Sequence, residues 1–393
     1  MKYNFDEFIN RQNTASVKYD LRKAIFENED VIPMWVADMD FKTPDFIVKA
    51  IKERLNHEVF GYSIRPKSYY QSIIDWVKRR HNWEIKEEWI SFSPGIVPAI
   101  NMAVLAYTNP GDKIIIQPPV YHPFFYAIKN NDRELVENPL NLRNGRYYID
   151  FRDLEDKLKD AKMLILSNPH NPGGSVWTKD ELEKLGELCV KNNVLVMSDE
   201  IHADLIYKNY SYTPLASISN EIANYTVTFI APSKTFNMAA LATSSVISSN
   251  IELKEKYDKV LDAIHIGMGN VFGTVASEAA YTHGDEWLDQ LMEYLETNLN
   301  LVEDYIKEKI PQIQMLRPEG TYLVWLDCSD LDLKGKDLKN FMIEDAGLGF
   351  NDGRMFGTGG EGFMRMNIAC PKQIVLDALI RLEKAVNNHN SNG

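Results

Sequence analysis

The stretch "TVTFIAPSKTFN" (226–237) joins an apolar run to a lone lysine, Lys234. The β-branched and aromatic residues of 226–230 predict a buried strand, and the residues around the lysine are small, apolar or hydroxylic. Lys234 is therefore either a solvated surface amine or a desolvated amine with a lowered pKa, which suits Schiff-base chemistry. The choice depends on what the rest of the chain brings to the end of this strand.

Four further apolar runs, separated by helix-like stretches, predict that this strand belongs to a mostly parallel sheet. The runs are 88–93, 112–117, 162–167 and 193–198. Each of the five is followed by residues of unusual chemistry, which are, in order, "SPG", "PPVYHPF", "NPHNPGG", "DEIH" and "APSK". In open α/β sheets the ligand crevice lies outside the carboxyl ends of the strands. We therefore expect these five loops to converge on one site.

The chain of 393 residues is too long for one ordinary core, so we predict two domains. The parallel-sheet pattern predicts a large α/β domain over 48–287. A long amphipathic helix at 288–310, strands within 320–327 and 362–371 and a final helix from about 372 to 386 predict a smaller α+β domain. We assign 1–47 and 288–393 to it.

Charge and composition favour a small-molecule substrate. The 43 basic and 56 acidic residues give a net charge of −13, and no long basic block occurs, which argues against nucleic acid and anionic membranes as partners. No signal peptide and no apolar run of about 18 residues is visible, so we expect a cytoplasmic protein. The three cysteines lack paired spacing, which predicts neither a disulfide framework nor a metal site.

Asp199 follows directly after the fourth of these runs. It is either a helix N-cap or a carboxylate that faces a cofactor. A pyridine ring nitrogen stays protonated beside a fixed anion, and the protonated ring withdraws electrons from a carbon bonded to a Schiff-base nitrogen. Together Lys234 and Asp199 are thus the pair that pyridoxal phosphate (PLP) requires.

The stretch "GTGGEG" (357–362) fits the G-x-G-x-x-G pattern of dinucleotide-binding proteins. That pattern functions only after a strand and at the start of a helix, whereas here the apolar run "FMRMNIA" follows the glycines. We predict a flexible loop near the substrate.

Four motifs in this order and spacing resemble the fold-type I PLP-dependent enzymes of the aspartate aminotransferase superfamily. They are "SNPHNPGG" (167–174), "SDEIHADLIY" (198–207), "APSKTFN" (231–237) and "MRMNIACP" (364–371). The resemblance implies the α/β PLP-dependent transferase fold, with a large domain whose sheet is flanked by helices and a smaller α+β domain.

Three further motifs resemble a narrower group, the cystathionine β-lyase-like C–S lyases of the MalY/PatB type. They are "PMWVADMDFKTP" (33–44), "FGYS" (60–63) and "SPGIVPAI" (93–100). The resemblance spans nearly the whole chain. It implies cleavage of cystathionine or related S-substituted cysteines to a thiol, pyruvate and ammonia.

The resemblance also implies roles for residues around the cofactor ring. Lys234 would bind PLP as a Schiff base and later remove the substrate Cα proton, and Asp199 would pair with the ring nitrogen. Asn171 would donate to the phenolic oxygen, near which His202 would also lie. Tyr121, which from the residues alone could be an ordinary core aromatic, would stack on the ring and contact the substrate.

The cofactor phosphate would be bound at the "SPGIVPAI" turn. A helix N-terminus favours an anion, and by the resemblance Ile96 and Val97 would supply backbone amides and Ser233 a hydroxyl. Tyr62 would reach the phosphate of the partner subunit. This implies a homodimer with active sites at the subunit interface.

Arg365 interrupts an apolar strand, which makes it either an edge or salt-bridge residue or a grip on a carboxylate. By the resemblance it holds the substrate α-carboxylate, and Asp38 is assigned to substrate binding as well. Many aminotransferases of the superfamily have an arginine where this chain has Ala242, which weakens the aminotransferase alternative. An aminotransferase, and a regulatory or interaction protein that retains the fold, stay open as alternatives.

Overall fold

The computed structural model of the chain describes residues 2–333 and 335–392. Its strands are β1 (Ile32–Pro33), β2 (Ile90–Ser93), β3 (Lys113–Ile116), β4 (Glu134–Glu137), β5 (Asn141–Arg143), β6 (Arg146–Tyr148), β7 (Ala161–Ser167), β8 (Leu195–Asp199), β9 (Thr226–Ile230), β10 (Ser244–Ile247), β11 (Gln314–Leu316), β12 (Leu323–Asp327), β13 (Leu348–Gly349), β14 (Asn351–Asp352) and β15 (Phe363–Asn367). Its α-helices are α1 (Val17–Asp20), α2 (Arg22–Phe26), α3 (Asp45–Leu55), α4 (Lys67–His81), α5 (Ile96–Tyr107), α6 (Pro123–Lys129), α7 (Phe151–Leu158), α8 (Lys179–Lys191), α9 (Asn220–Asn224), α10 (Pro232–Thr235), α11 (Ile251–Ala263), α12 (Val271–His283), α13 (Asp285–Lys309), α14 (Lys336–Asn340) and α15 (Lys372–Asn392).

A seven-stranded sheet in the order β2-β10-β9-β8-β7-β3-β4 forms the centre of the fold. The strands β9, β8, β7, β3 and β4 are parallel. Strand β10 is antiparallel to both of its neighbours, β9 and β2, so β2 points the same way as the parallel strands. The predicted mostly parallel sheet is confirmed, and each of the five predicted apolar runs contains one strand. Strands β4 and β10 were not predicted, because "ELVE" and "SSVI" lack a continuous apolar run.

Both faces of this sheet are covered by helices, which explains the continuous apolar runs in inner strands such as β3. Helices α5, α6 and α11 pack on one face, and α7, α8 and α9 pack on the other. In β3, Ile114 and Ile116 lie in one hydrophobic cluster and Ile115 lies in another. A strand buried on both sides needs apolar side chains at every position rather than at alternate ones.

The carboxyl ends of β2, β3, β7, β8 and β9 lie at the same edge of the sheet, because these strands point in one direction. The loops that follow them are the five that we predicted to converge. The topology therefore creates a crevice at this edge, as expected for an open α/β sheet.

A second, antiparallel sheet has the order β11-β12-β15-β14. Strand β1 pairs in parallel with β13, so the N-terminal segment returns to the C-terminal part of the chain. Helix α13 packs against α15, and Asn298 of α13 donates to the carbonyl oxygens of Ile368 and Cys370, each at 2.9 Å. The division of the chain into domains at 47/48 and 287/288 stays a prediction.

Two predicted helices differ in extent from those of the structure. The helix predicted at 288–310 begins three residues earlier, as Asp285–Lys309. The final helix was predicted to end near 386, and it continues to Asn392. Polar residues at a helix end give little periodic signal, which is why the end was placed too early. No helix within 2–333 and 335–392 is long and apolar enough to cross a membrane.

The "GTGGEG" loop leads into β15 rather than into a helix, so the context of a dinucleotide site is missing. Backbone hydrogen bonds hold both ends of this loop. Just before it, the N–H of Val120 donates to the carbonyl of Phe356 at 2.8 Å, and at its end the N–H of Cys328 donates to the carbonyl of Gly362 at 2.9 Å. Gly360 packs so closely that a Cβ atom on it would lie 2.0 Å from the carbonyl oxygen of Gly353. A side chain at position 360 has no space.

We predict that Gly360→Ala lowers the free energy of unfolding by about 1 to 3 kcal/mol, because the backbone must shift to admit the methyl group. Urea unfolding followed by circular dichroism measures the change. Gly267→Ala is the matched control, since a Cβ there meets no atom nearer than 3.6 Å. Equal stability of the two variants would contradict the close packing at Gly360.

Candidate active site

A cavity of about 210 Å³ lies at the carboxyl edge of the large sheet. The loops after β2, β3, β7, β8 and β9 contribute to its walls, as predicted from their shared direction. The predicted residues that line it are Ile96, Val97, Tyr121, Asn171, Asp199, His202, Ser233 and Lys234. The structure thus brings together residues from five separate segments of the chain.

Lys234 lies in the short turn α10 directly after β9. Pro232 begins this turn, where a fixed φ near −65° suits the first helical position. The Nζ of Lys234 donates to the carbonyl oxygen of Ala37 at 2.6 Å. Burial lowers the pKa of Lys234 to about 8, although the nearby carboxylate of Asp38 acts to raise it. A substantial fraction of this amine is therefore neutral and nucleophilic near neutral pH.

Asp199 is the last residue of β8, and it is buried. Residues 200–204 form turns rather than a helix, so the carboxylate is not a helix cap. Its Oδ1 accepts from the N–H of Ile201 at 3.2 Å. Burial raises the pKa of Asp199 to about 7, although the Ile201 N–H and the Lys234 amine both act to lower it. A cation beside this carboxylate would hold it ionised.

Arg365 lies on β15 of the second sheet and is buried; it does not line the cavity itself but contacts the lining residue Asn171. Its Nη1 donates to Oδ1 of Asn171 at 2.8 Å. Its Nη2 donates to Oδ1 of Asn351 at 2.7 Å and to the carbonyl oxygen of Trp35 at 3.0 Å. The Nε has no hydrogen-bond partner among the described residues. Burial lowers the pKa of Arg365 to about 10, so the guanidinium is still charged at neutral pH and can bind a carboxylate.

The N-terminus of α5 forms another part of the wall. The first N–H groups of a helix have no partner within the helix, and the helix dipole places positive charge there. Ile96 and Val97 are the first two residues of α5, and Ser233 lines the same cavity. Thr243 adds a second hydroxylic residue that the sequence analysis missed. This part of the cavity suits an anion such as a phosphate.

Two aromatic residues complete the predicted lining. Burial lowers the pKa of His202 well below its usual value, so its ring is neutral, and its Nδ1 has no partner among the described residues. The His202 ring centroid lies 6.1 Å from that of Tyr322. Burial raises the pKa of Tyr121, which keeps the phenol protonated. Neither ring adds charge to the cavity.

Besides Arg365, two predicted residues lie outside the cavity lining. Asp38, assigned to the substrate, has its carboxylate in a two-bond ion pair with Arg11, at 3.0 and 2.7 Å, and 3.8 Å from Lys18. Its effect on the site is electrostatic, because the negative charge of Asp38 acts to raise the pKa of Lys234. Tyr62 is 97% exposed on the single chain. Its assigned contact with a partner subunit stays a prediction.

The sequence analysis missed several groups that contact the predicted residues. They are the carbonyl oxygens of Trp35 and Ala37 and the side chains of Thr243, Asn351 and Tyr322. A backbone carbonyl leaves no signal in the letters of a sequence. The hydroxyl of Tyr322 donates to the carbonyl oxygen of Ala37 at 2.9 Å. In the sequence Tyr322 follows "EGT" in a predicted strand, where nothing indicates a functional residue.

The chemistry of this set of groups fits PLP. A buried amine can form a Schiff base, a buried carboxylate suits a pyridinium nitrogen, and a helix N-terminus with hydroxyl groups suits a phosphate. The unpartnered donor of Arg365 adds a position for a substrate carboxylate. Over the described ranges, no three His, Cys, Asp or Glu side chains gather as metal ligands would.

Comparison with known proteins points the same way. Residues 29–382 match the model of the family "Aminotransferase class I and II". The chain is 43% identical to the cystathionine beta-lyase PatB of Bacillus subtilis (strain 168), over 98% of this chain and 100% of PatB. Among solved structures, the PLP-bound C–S lyase of Staphylococcus hominis has a TM-score of 0.92 and 34% identity, over 98% of each chain.

A PLP-bound protein of Clostridium difficile 630, whose assignment as an aminotransferase is provisional, has a TM-score of 0.97 and 46% identity. The match covers 98% of this chain and 100% of that one. PLP-bound structures are therefore similar to this chain over nearly its whole length.

We predict that, in the cofactor-free protein, Lys234 reacts with added PLP at a rate that rises with pH around a midpoint of about 8, because the neutral amine is the nucleophile. Asp199→Asn should shift this midpoint downward, since the carboxylate raises the pKa of Lys234. Stopped-flow absorbance measures the rate, and Asp377→Asn, on the distant helix α15, is the control. A midpoint that does not differ between wild type and Asp199→Asn would refute the electrostatic coupling.

Proposed function

The chain belongs to the aminotransferase class I and II family, and we propose that it is a PLP-dependent carbon–sulfur β-lyase. Its substrates are cystathionine or related S-substituted cysteines, and its products are a thiol, pyruvate and ammonia. The observation that carries this proposal is the burial of the Lys234 amine and the Asp199 carboxylate in the wall of one cavity. The full-length similarity to a cystathionine beta-lyase supports the choice of reaction.

The residues that would hold the cofactor are those that line the cavity. Lys234 would bind it covalently, Asp199 would face the ring nitrogen, and Asn171 would donate to the phenolic oxygen. The amides of Ile96 and Val97 would bind the phosphate, together with the hydroxyl groups of Ser233 and Thr243. Bound PLP supplies an electron sink for the electron pair that is left when a Cα proton is removed.

Arg365 would bind the α-carboxylate of the substrate. Three acceptors, on Asn171, Asn351 and Trp35, fix the guanidinium plane, so little side-chain freedom is lost when the carboxylate arrives. A fixed carboxylate sets the direction of the Cα–H bond. Asn171 would thus act twice, on the cofactor and on the residue that orients the substrate.

Once the amino group of the substrate has replaced it on the cofactor, the free Lys234 amine would remove the Cα proton. Its burial keeps it partly neutral, and the carbonyl of Ala37 holds the nitrogen in one direction at 2.6 Å. With a sulfur substituent on Cβ, the C–S bond then breaks and its electron pair leaves with the sulfur, which takes up a proton as a thiol. Water hydrolyses the remaining carbon skeleton to pyruvate and ammonia.

The runner-up function is an aminotransferase, which would share these residues up to proton removal. Ala242, where many aminotransferases have an arginine, adopts a left-handed backbone with φ of 45°. Its methyl group offers no cation to a phosphate. This departure favours the lyase.

We expect the PLP-loaded protein to release pyruvate and thiol in equal amounts from L-cystathionine without any keto acid. Lys234→Ala should abolish this release, since it removes both the covalent anchor and the base. A lactate dehydrogenase assay for pyruvate and a thiol reagent measure the two products together. Amino-group transfer that requires an added keto acid, with no thiol, would show an aminotransferase instead.

We further propose that the active unit is a homodimer. An exposed apolar patch supports this proposal. Its residues, each with the exposed fraction of its surface, are Val59 (64%), Phe60 (57%), Tyr62 (97%), Ile64 (86%) and Met268 (60%). Arg65 ties its two segments together by donating to the carbonyls of Gly267 and Met268 at 2.7 and 3.1 Å. A contiguous apolar patch of this kind is typical of a protein interface, and it would carry Tyr62 toward the partner's site.

We predict that Ile64→Asp converts the dimer to a monomer, because it places a charge in the apolar patch. Sedimentation velocity measures the change. Ile380→Asp on α15, at a residue 48% exposed, should leave the dimer intact. If wild-type protein sediments as a monomer, the homodimer proposal is wrong.

We also propose a cytoplasmic location. The support is that Cys189, Cys328 and Cys370 are all free and buried, as is usual in a reducing compartment. Fractionation of the source cells, with activity assayed in each fraction, tests this, and activity outside the cytoplasmic fraction would contradict it.

A further inference from the structure

The carboxylate of Asp204 contacts three side chains, on helices α10 and α4, that the mechanism above does not use. Its Oδ2 accepts from Oγ1 of Thr235 at 2.7 Å. Its Oδ1 accepts from Nε1 of Trp76 at 3.0 Å and lies 2.8 Å from Nε2 of His81. The Asp204 side chain is only 8% exposed, so water scarcely competes for these hydrogen bonds.

Asp204 carries its negative charge in spite of this burial. Burial by itself would raise the pKa of Asp204, but the hydrogen bonds and charge of His81, Thr235 and Trp76 outweigh it and keep that pKa below its usual value. Hydrogen bonds to an ionised acceptor are shorter and stronger than those between neutral groups. The hydrogen bond from Thr235 to Asp204 is therefore stronger than one between two neutral groups.

Thr235 is the residue next to Lys234 in the turn α10. This turn has only four residues, and a turn so short has little stability of its own. Its closing backbone bond runs from Phe236 N–H to the carbonyl of Pro232 at 2.9 Å. The direction of the Lys234 side chain must therefore depend on contacts with other elements.

Side-chain hydrogen bonds hold the C-terminal end of the turn. Two residues beyond the turn, Nδ2 of Asn237 donates to the carbonyl of Phe41 at 2.8 Å. Within the turn, the hydroxyl of its last residue, Thr235, donates to Asp204. Thr235 is adjacent to Lys234 in the chain and Asn237 is three residues away, so the Asp204 contact has the more direct effect on Lys234.

We propose that Asp204 is a positioning residue, which acts through Thr235 to fix the direction in which Lys234 enters the cavity. The inference rests on the proposed function, because this direction matters only if the Lys234 amine reacts. Asp204 lies five residues after Asp199, in the turns that follow β8. The segment 199–204 thus supplies the carboxylate that lines the cavity, and it also positions the amine that reacts with the same cofactor.

The other two donors place the anchor itself. Trp76 and His81 both lie on α4, and the Trp76 ring also packs edge-on against Phe236, with centroids 5.6 Å apart. Helix α4 therefore contacts the residue just after the lysine turn directly, and it contacts the last residue of the turn through Asp204.

The test compares Thr235→Val, which keeps the side-chain shape without the hydroxyl, with Thr235→Ser, which keeps the hydroxyl. Thr228→Val is the matched control, because Thr228 is buried in β9 and its Oγ1 has no hydrogen-bond partner among the described residues. Two quantities are measured on the PLP-loaded proteins. One is the pH midpoint of the visible absorbance of the lysine-bound cofactor, and the other is kcat and KM for L-cystathionine.

For Thr235→Val we expect kcat to fall by about 10-fold to 100-fold with KM nearly unchanged, since misplacement of a reacting group by about 1 Å costs up to that much. We also expect a shifted pH midpoint, because the lysine nitrogen moves relative to its charged neighbours. Thr235→Ser and Thr228→Val should stay close to wild type. Asp204→Asn should change both quantities in the same direction as Thr235→Val.

Equal kcat and equal pH midpoint in Thr235→Val and Thr228→Val would overturn the inference and leave Asp204 a purely structural group. If Thr235→Val does not fold, Asp204→Asn decides by the same two measurements. A wild-type protein that binds no PLP or releases no thiol would overturn the proposed function as well, and that result needs no variant to be seen.

Discussion

The burial of two opposite charges around one small cavity is the constraint on which the rest of the site depends. Burial drives the Lys234 amine and the Asp199 carboxylate each toward the neutral form, with pKa values of about 8 and about 7. In water both groups would be fully charged at neutral pH, and a fully protonated amine does not form a Schiff base. The Lys234 amine and the Asp199 carboxylate can therefore both gain or lose a proton near neutral pH. Their reactivity is useful only if the surrounding atoms hold them in place.

The backbone of one N-terminal segment supplies much of that support. The carbonyl oxygens of Trp35 and Ala37 accept from Arg365 at 3.0 Å and from Lys234 at 2.6 Å. A carbonyl accepts a hydrogen bond but has no proton to give and no full charge. It can therefore orient both cations without neutralising either, which a carboxylate at the same place would not do.

Arg365 connects the two sheets at this site. Its guanidinium joins Asn171, from the loop after β7 of the large sheet, to Asn351 at the start of β14 in the second sheet. The position of the cation is thus set from both parts of the chain. A change in the packing of the second sheet against the first would move the Arg365 guanidinium relative to Lys234, so the geometry of the site depends on both sheets.

The sequence by itself determined the parallel sheet and the convergence of five loops, because continuous apolar runs separated by helices predict parallel strands, whose carboxyl ends meet at one edge. It also indicated Lys234 and Asp199 as a pair, because the chemistry of each residue type can be read from the sequence. It did not reveal Asn351, the carbonyl of Ala37 or the engagement of Asp38 by Arg11. Those depend on which distant segments pack against the strand ends, and backbone atoms are the same at every position of a sequence. Only the tertiary structure decided how the Lys234 and Arg365 cations are held, since the hydrogen bonds from Lys234 to Ala37 and from Arg365 to Trp35 and Asn171 join residues far apart in the chain.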